Sequence, residues 1–170
     1  MLVMSVNQPP LQPSLKGRAL RLLGQREHSR LELQRKLARF EVEPDSLAQV
    51  LDELQAKGFI DEQRALESVL HRRTGVWGAA RIAQELHAKG LAPAAIREAV
   101  AGLSDTELAR AQSVWQRKFA QVARNDTERA RQVRFLLARG FAGDVVRRVV
   151  QQADSPDPDA AFDPSNVHEF

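Results

Sequence analysis

The chain has 170 residues and no cysteine, which excludes disulfide bonds, thiolate chemistry and cysteine-ligated zinc. It has no run near the ~18 or more apolar residues that a membrane-spanning helix needs. Its four histidines are scattered and show no spacing typical of metal ligands. We therefore expect a cytoplasmic protein of about one domain's length that uses no metal, cofactor or small-molecule substrate.

The net charge of +3 hides an uneven distribution along the chain. Residues 16–39 carry eight bases and two acids, whereas residues 40–70 carry two bases and eight acids. Residues 110–153 carry ten bases and three acids, and the tail from Asp154 holds five acids and no base. Two separated basic blocks indicate a polyanion or an acidic protein surface as the partner.

The first predicted elements are three short helices. Apolar residues at helical spacing predict a helix over residues 16–25. Ser29, followed three positions later by Glu32, predicts a second helix that opens with a capping box. Pro44 predicts the start of the third helix, because its fixed φ suits the first helical position, and Asp45 would then meet the positive end of the helix dipole.

The rest of the chain follows the same plan. Asp61 or Glu62 can cap the next helix, and Gly90 and Gly140 each supply the left-handed residue that ends a helix. A longer helix is predicted from about residue 104 to residue 122, where apolar side chains again share one side.

An internal repeat ties these helices together. The stretch from Arg81 to Val100 recurs in Leu136 to Val150, and a fainter copy lies upstream, at offsets of 50 and 49 residues. The copies keep their apolar positions and change most polar ones, which is typical of a repeated packing unit. No segment shows sustained period-two alternation. We therefore predict an all-α fold of three tandem three-helix, helix-turn-helix-like repeats in an elongated curved array.

The repeat and the composition also set the expected domain boundaries. Proline, aspartate, alanine and serine dominate the end of the chain, which predicts a disordered acidic tail. The predicted segments are a flexible leader at residues 1–14, repeats at residues 15–57, 58–103 and 104–153, and the tail at residues 154–170.

Four motifs in chain order resemble those of the RecX family of recombinase regulators. They are HSRLEL at residues 28–33, GFIDE at 58–62, RIAQELHAKGL at 81–91 and RFLLARGF at 134–141. None is specific alone, but four in the right order are fairly specific together.

The chain also departs from the family pattern. Phe40 and Glu41 stand where the later repeats have a basic residue and glycine, so we expect the second helix to end differently. His28 replaces a common arginine, and the residue after Asp61 is glutamate instead of a second aspartate.

The resemblance implies a helical regulator that binds the RecA–single-stranded DNA filament and usually restrains its ATPase and strand-exchange activity, in DNA repair, recombination and the SOS response. It implies no enzyme, and we find no nucleophile, base and orienting group that would argue for one. We expect a monomer that contacts single-stranded DNA weakly or indirectly. Whether it inhibits or assists its recombinase is left open by the sequence.

Basic side chains are the candidate contacts to the filament or to DNA, although charge on a helix is often only a solvated face. Those of the last repeat are dense and have few acids between them. Phosphate contact there predicts salt-sensitive binding without base preference. The candidates are Arg21, Arg26, Arg35, Lys36, Arg72, Arg73, Arg81, Lys89, Arg129, Arg131, Arg134, Arg139, Arg147 and Arg148.

Two other interpretations involve direct base contact. Trp77 and Trp115 could stack on bases, but their places beside apolar helix faces favour packing. Residues 86–101 could form a helix-turn-helix that reads duplex DNA. Pro93 and the two alanines after it offer almost no hydrogen-bond donors for that task. A plain helical scaffold for another protein is a third reading.

Overall fold

The computed structural model describes residues 13–154, and these form nine α-helices and one short 3-10 helix with no β-strand. The predicted all-α class, with three helices in each of three successive repeats, is confirmed. The predicted leader and acidic tail lie outside the described residues, except for Pro13, Ser14 and Asp154. None of the helices within residues 13–154 has the length and apolar character to cross a membrane.

The helices follow one another with short connections. Their bounds are α1 Leu15–Leu23, α2 Arg30–Leu37, the 3-10 helix Ala38–Phe40, α3 Ser46–Ala56, α4 Glu62–Arg73, α5 Ala79–Ala88, α6 Pro93–Ala101, α7 Ser104–Lys118, α8 Asp126–Ala138 and α9 Gly143–Asp154.

The chain divides into two compact units. The first unit comprises the described residues as far as Val69 together with Leu86–Ala92, and the second comprises Leu70–Glu85 and the described residues from Pro93 onward. Each unit has its own apolar core. The core of the first unit is Ala19, Leu33, Leu37, Leu47, Leu51, Leu54 and Ile60. The core of the second unit is Ala111, Val114, Trp115, Leu136, Phe141, Val145, Val146 and Val149.

Polar side chains begin several helices as expected. The predicted capping box is present, because the Ser29 hydroxyl accepts the amide of Glu32 at 3.2 Å and the Glu32 carboxylate accepts the amide of Ser29 at 3.1 Å. Asp61 caps α4 by accepting the amide of Arg64 at 2.8 Å. Asn125 caps α8 through the amide of Glu128 at 2.9 Å. These bonds satisfy amides that have no partner inside their helices.

Two helix boundaries differ from the prediction. Helix α3 begins at Ser46, because Asp45 adopts a left-handed φ of 62° and the Glu41 carboxylate accepts the amide of Leu47 at 2.9 Å. Asp45 and Pro44 therefore lie outside the helix, and Glu41 supplies a side-chain bond to its first turn. Helix α7 ends at Lys118 instead of residue 122, because Ala120 has a φ of 54° that turns the chain.

The second helices of the two later repeats end in the same glycine motif. Gly90, with a φ of 74°, donates its amide to His87, and the next amide bonds to Leu86. Gly140, with a φ of 81°, donates to Leu137, and the next amide bonds to Leu136. This paired bonding is the Schellman arrangement, and it confirms the prediction that a left-handed glycine ends each of these helices. The second helix of the first repeat ends differently, in the 3-10 helix, as its Phe40 and Glu41 suggested.

In the first unit, the start of α2 lies against the glycine-terminated end of α5. The Ser29 hydroxyl donates to the carbonyl oxygen of Lys89 at 2.6 Å, and the Arg35 guanidinium donates to the carbonyl oxygen of Ala88 at 2.8 Å. A Cβ on Gly90 would stand 2.6 Å from the Leu31 side chain. We call this contact, between residues 29–35 and residues 88–90, the first helix-end joint.

In the second unit, the start of α5 lies in the same way against the end of α8. The amide of Gly78 donates to the carbonyl oxygen of Arg139 at 2.9 Å, and the amide of Ala80 donates to that of Gly140 at 3.2 Å. The Arg81 guanidinium donates to the carbonyl oxygen of Ala138 at 2.9 Å. This second helix-end joint, between residues 78–81 and residues 138–140, satisfies amides and carbonyls that a helix end leaves without intrahelical partners.

A small ion network reinforces the first joint. The Glu32 carboxylate accepts from Arg26 Nη2 at 2.8 Å, from Lys89 Nζ at 2.6 Å and from the Ser29 amide. The side chains of Lys89 and Glu32 are only 11% and 14% exposed. Burial alone would raise the pKa of Glu32, but the hydrogen bonds from Arg26, Lys89 and Ser29 outweigh burial and lower that pKa from 4.5 to about 2.

A glycine series tests the second joint. We expect Gly140→Ala to destabilise the protein by about 3 kcal/mol or more, because alanine adds left-handed strain and its Cβ would stand 2.5 Å from the backbone nitrogen of Arg81. Gly58→Ala should cost only about 1 kcal/mol, because Gly58 has a φ of 73° but nothing in residues 13–154 crowds the added carbon within 4 Å.

Gly143→Ala is the matched control, because no atom of the described residues that could be crowded lies within 4 Å of its Cβ and it needs no left-handed conformation. Urea unfolding measured by tryptophan fluorescence and circular dichroism gives the free energy of unfolding of the three variants. An equal loss of unfolding free energy in Gly140→Ala and Gly58→Ala would contradict the close approach at the joint.

The pH dependence of stability tests the ion network. Glu32 has a lowered pKa, so its contribution is present above the unfolded value of 4.5 and is lost as pH falls from there toward 2. At about 1.4 kcal/mol per pKa unit, the loss is on the order of 3 kcal/mol. Glu32→Gln should therefore flatten the fall in unfolding free energy between pH 5 and pH 2.

The comparison variant is Glu53→Gln. Hydrogen bonds from Lys16 and Lys57 also lower the pKa of Glu53 to about 2, but its carboxylate is open to solvent and screened by salt. Glu53→Gln should leave the pH profile close to that of the unmodified protein. A Glu32→Gln profile with the original slope would show that the network does not stabilise the joint.

Candidate functional site

The predicted contact residues differ in their exposure. Lys89 is the exception to the expected surface position, because it is 9% exposed and its ammonium is bound to Glu32. Arg26, Arg73 and Arg139 are half-buried. The exposed candidates are Arg21, Arg35, Lys36, Arg72, Arg81, Arg129, Arg131, Arg134, Arg147 and Arg148.

Five cations come together in one groove of the first unit, formed by α1, α2 and the 3-10 helix. The groove encloses a cavity of about 510 Å³, and none of the described residues that line it carries a carboxylate. We call it the basic groove, and its charged residues are Arg18, Arg21, Arg35, Lys36 and Arg39. Three of these were predicted as contacts, and Arg18 and Arg39 were missed.

The floor of the basic groove is apolar. It is formed by Leu22, Leu37 and Phe40. The guanidinium of Arg18 lies 4.0 Å from the centroid of the Phe40 ring, and that of Arg39 lies 4.7 Å from it. The ring therefore holds two of the cations in place by cation–π attraction. Arg18 also donates to the carbonyl oxygen of Pro13 at 2.9 Å.

A buried histidine positions a third cation. Lys36 Nζ lies 3.2 Å from Nε2 of His28, while Nδ1 of His28 lies 2.9 Å from the carbonyl oxygen of Arg26. His28 is 1% exposed, and burial, with the charges of Arg26 and Lys36, lowers its pKa below 6.5. The imidazole is therefore neutral at pH 7, with Nδ1–H donating to the carbonyl and Nε2 accepting from Lys36.

Little within the protein neutralises the basic groove. Arg21, Arg35, Lys36 and Arg39 form no ion pair with any residue in the range 13–154. Arg35 contacts a backbone carbonyl and Lys36 a neutral histidine, so neither contact supplies a negative charge. Like charges that converge without counter-charges repel one another, and an anionic ligand relieves that repulsion.

Several predicted contact residues have partners within the fold. In the first unit, Arg26 and Lys89 both form ion pairs with the carboxylate of Glu32. In the second unit, Arg73 pairs with Glu85 at 2.9 Å and lies 4.2 Å from the ring centroid of Trp77.

Trp77 and Trp115 both pack against other side chains of the protein, as predicted from their places beside apolar helix faces. The Trp77 ring is half-buried, and the Arg81 guanidinium lies 4.6 Å from its centroid. Trp115 is 7% exposed, and its indole N–H donates to the side chain of Gln132 at 2.9 Å. Neither ring is an open surface for a base.

The basic residues of the last repeat lie on the surface of α8 and α9. Arg129, Arg131, Arg134, Arg147 and Arg148 are exposed. Apart from Asp154 at the end of α9, the acids of the two helices lie in their first turns, at positions that favour the helix dipole. The half-buried Arg139 differs from these, because its guanidinium lies 4.4 Å from the centroid of the Phe135 ring.

Comparison with known proteins places this arrangement in a family. Three family descriptions match in succession: RecX, first three-helix domain, at residues 16–54; RecX, second three-helix domain, at residues 61–100; and RecX, third three-helix domain, at residues 105–150. The predicted repeats contain these three matches in the same order.

Relatives of similar length support the same assignment. Regulatory protein RecX of Leptothrix cholodnii is 50% identical over 151 residues, which cover 89% of this chain and 95% of the relative. Regulatory protein RecX of Ralstonia nicotianae is 46% identical over 147 residues, which cover 86% of this chain and 92% of the relative.

A solved structure agrees on the fold. The crystal structure of RecX from Lactobacillus salivarius matches 82% of this chain and 94% of its own, with a TM-score of 0.66 at 18% identity. With three successive domain matches and relatives of 50% and 46% identity over most of its length, the chain belongs to the RecX family of regulatory proteins.

Proposed function

We propose that this protein binds the RecA–single-stranded DNA filament in the cytoplasm and restrains its ATPase and strand-exchange activity. It acts as a monomeric regulator in DNA repair and recombination. The observation that carries the proposal is the basic groove, where four cations without an ion pair in the described part of the chain converge on an apolar floor.

A binding protein can restrain an enzyme without reaching its active site. If it binds one conformational state of the filament more tightly than another, it stabilises that state by the difference in binding free energy. A 10-fold difference in affinity for the two states changes their equilibrium ratio 10-fold, which corresponds to about 1.4 kcal/mol. Slower nucleotide turnover follows when the favoured state is the less active one.

DNA contact is the second part of the proposal. The exposed arginines of α8 and α9 are suited to phosphates, because they combine full charge with few neighbouring acids. Phosphate contacts position a protein on nucleic acid and carry no sequence information, which fits a filament that forms on any sequence. These contacts supplement binding to the recombinase and are weak alone.

The alternative of a duplex-reading helix-turn-helix gains no support from α6. The exposed residues at its start are Pro93 and Ala94, and neither side chain can donate a hydrogen bond to a base edge. Arg97 is exposed one turn later, beside the exposed Glu98.

DNA-dependent ATP hydrolysis by a RecA recombinase tests the proposal directly. With preformed filaments on single-stranded DNA, the full chain should lower the hydrolysis rate several-fold at stoichiometries where co-sedimentation shows binding. Arg97→Ser should behave like the unmodified protein, since Arg97 lies outside the basic groove and outside α8 and α9. An unchanged rate on filaments that carry the protein would contradict the proposal.

A further inference from the structure

The basic groove combines two features that single out its ligand. One is charge, because four of its five cations are arginines, whose planar guanidinium binds carboxylates and phosphates through paired hydrogen bonds. The other is an apolar surface that a purely ionic ligand would leave in contact with water. A ligand that fits both features carries negative charge and apolar side chains together.

We propose that the basic groove binds an acidic amphipathic peptide segment of a protein partner. The proposal rests on the proposed function, in which that partner is a recombinase subunit. Carboxylates of the segment pair with Arg21, Arg39 and Lys36, and its apolar side chains cover Leu22 and Phe40.

An exposed valine next to the groove favours a protein ligand. Val42 is 92% exposed, and together with Arg18, Arg39 and Phe40 it lines an adjoining cavity of about 590 Å³. The two cavities share these three residues, so they form a continuous surface on both sides of the Phe40 ring. An apolar side chain of a peptide can cover Val42, whereas the phosphate groups of a nucleic acid cannot.

The aromatic ring argues against a nucleic acid in this groove. Proteins that bind single strands commonly combine a basic groove with aromatic faces on which the bases stack. Phe40 is the only aromatic residue in the described part of the chain that lines either cavity, and the guanidinium groups of Arg18 and Arg39 already lie over its ring at 4.0 and 4.7 Å. A base would have to displace these cations, whereas carboxylates bind them where they are.

Three fluorescent probes test the proposal with the full chain. They are a peptide of repeated Glu-Glu-Leu units, the same peptide with serine in place of leucine, and an oligo(dT) strand. We expect the Glu-Glu-Leu peptide to bind at least 5-fold more tightly than the serine peptide at equal salt. Equal affinities would overturn the role of the apolar floor, and no binding of either peptide would overturn the proposal.

Paired variants assign each probe to its surface. The double variant Arg21→Ser and Arg39→Ser should lower the affinity for the Glu-Glu-Leu peptide by 10-fold or more and change the affinity for oligo(dT) little. Arg131→Ser with Arg148→Ser, which removes the same charge from α8 and α9, should show the reverse. If the groove variant lost oligo(dT) binding and kept the peptide, the groove would be a nucleic-acid site and the proposal would be wrong.

Val42→Ser separates recognition from folding, since a side chain that is 92% exposed contributes little to the core. It should reduce the ratio of the affinity for the Glu-Glu-Leu peptide to the affinity for the serine peptide. The affinity for the serine peptide itself should stay the same. An unchanged preference would exclude Val42 from the site.

The filament ATPase assay distinguishes the two proposals. If the unmodified chain slows hydrolysis and the groove variant slows it equally, the groove proposal fails and the proposed function stands. If the unmodified chain has no effect on filaments that carry it, the proposed function fails whatever the peptides do.

Discussion

The rest of the structure depends on helix-end joints, in which a helix begins against the glycine-terminated end of another. A helix leaves amides unpaired at its start and carbonyls unpaired at its end, and burying either without a partner is costly. The joints pair these groups with each other and with Ser29, Arg35 and Arg81. Only glycine allows this approach at residue 140, where a side chain would meet the backbone of Arg81.

The first joint also helps to set the position of the basic groove. Helix α2 carries Arg35 and Lys36 into the groove, and the same helix is fixed at its start by Ser29 and Glu32. Arg35 takes part in both features, since it lines the groove and donates to the end of α5. The buried ion pair of Glu32 with Lys89 therefore helps to hold α2, and with it the groove, while the ammonium of Lys89 is itself engaged inside the joint.

Local chemistry made much of the fold predictable. Ser29 and Glu32 cap the same helix, and Gly90 and Gly140 each end the helix that precedes them. All four roles depend only on residues nearby in the sequence, and they were predicted correctly. The burial of Lys89 was not predictable, because its partner Glu32 lies 57 residues away. Arg18 and Arg39 were missed because each looks like an ordinary surface charge until the fold brings both over Phe40. Asp45 was predicted to stabilise the start of α3. The side chain that bonds to the first turn is instead Glu41, which accepts the amide of Leu47 six residues later.

Amide hydrogen exchange at the second joint is the most direct measurement. The amides of Gly78 and Ala80 precede or open a helix, so without the joint they would have no partner and would exchange like those of an open loop. Because they donate to the carbonyl oxygens of Arg139 and Gly140, we predict that they exchange nearly as slowly as the amide of the buried Ile82. Rapid exchange at Gly78 and Ala80, with Ile82 still protected, would contradict the account.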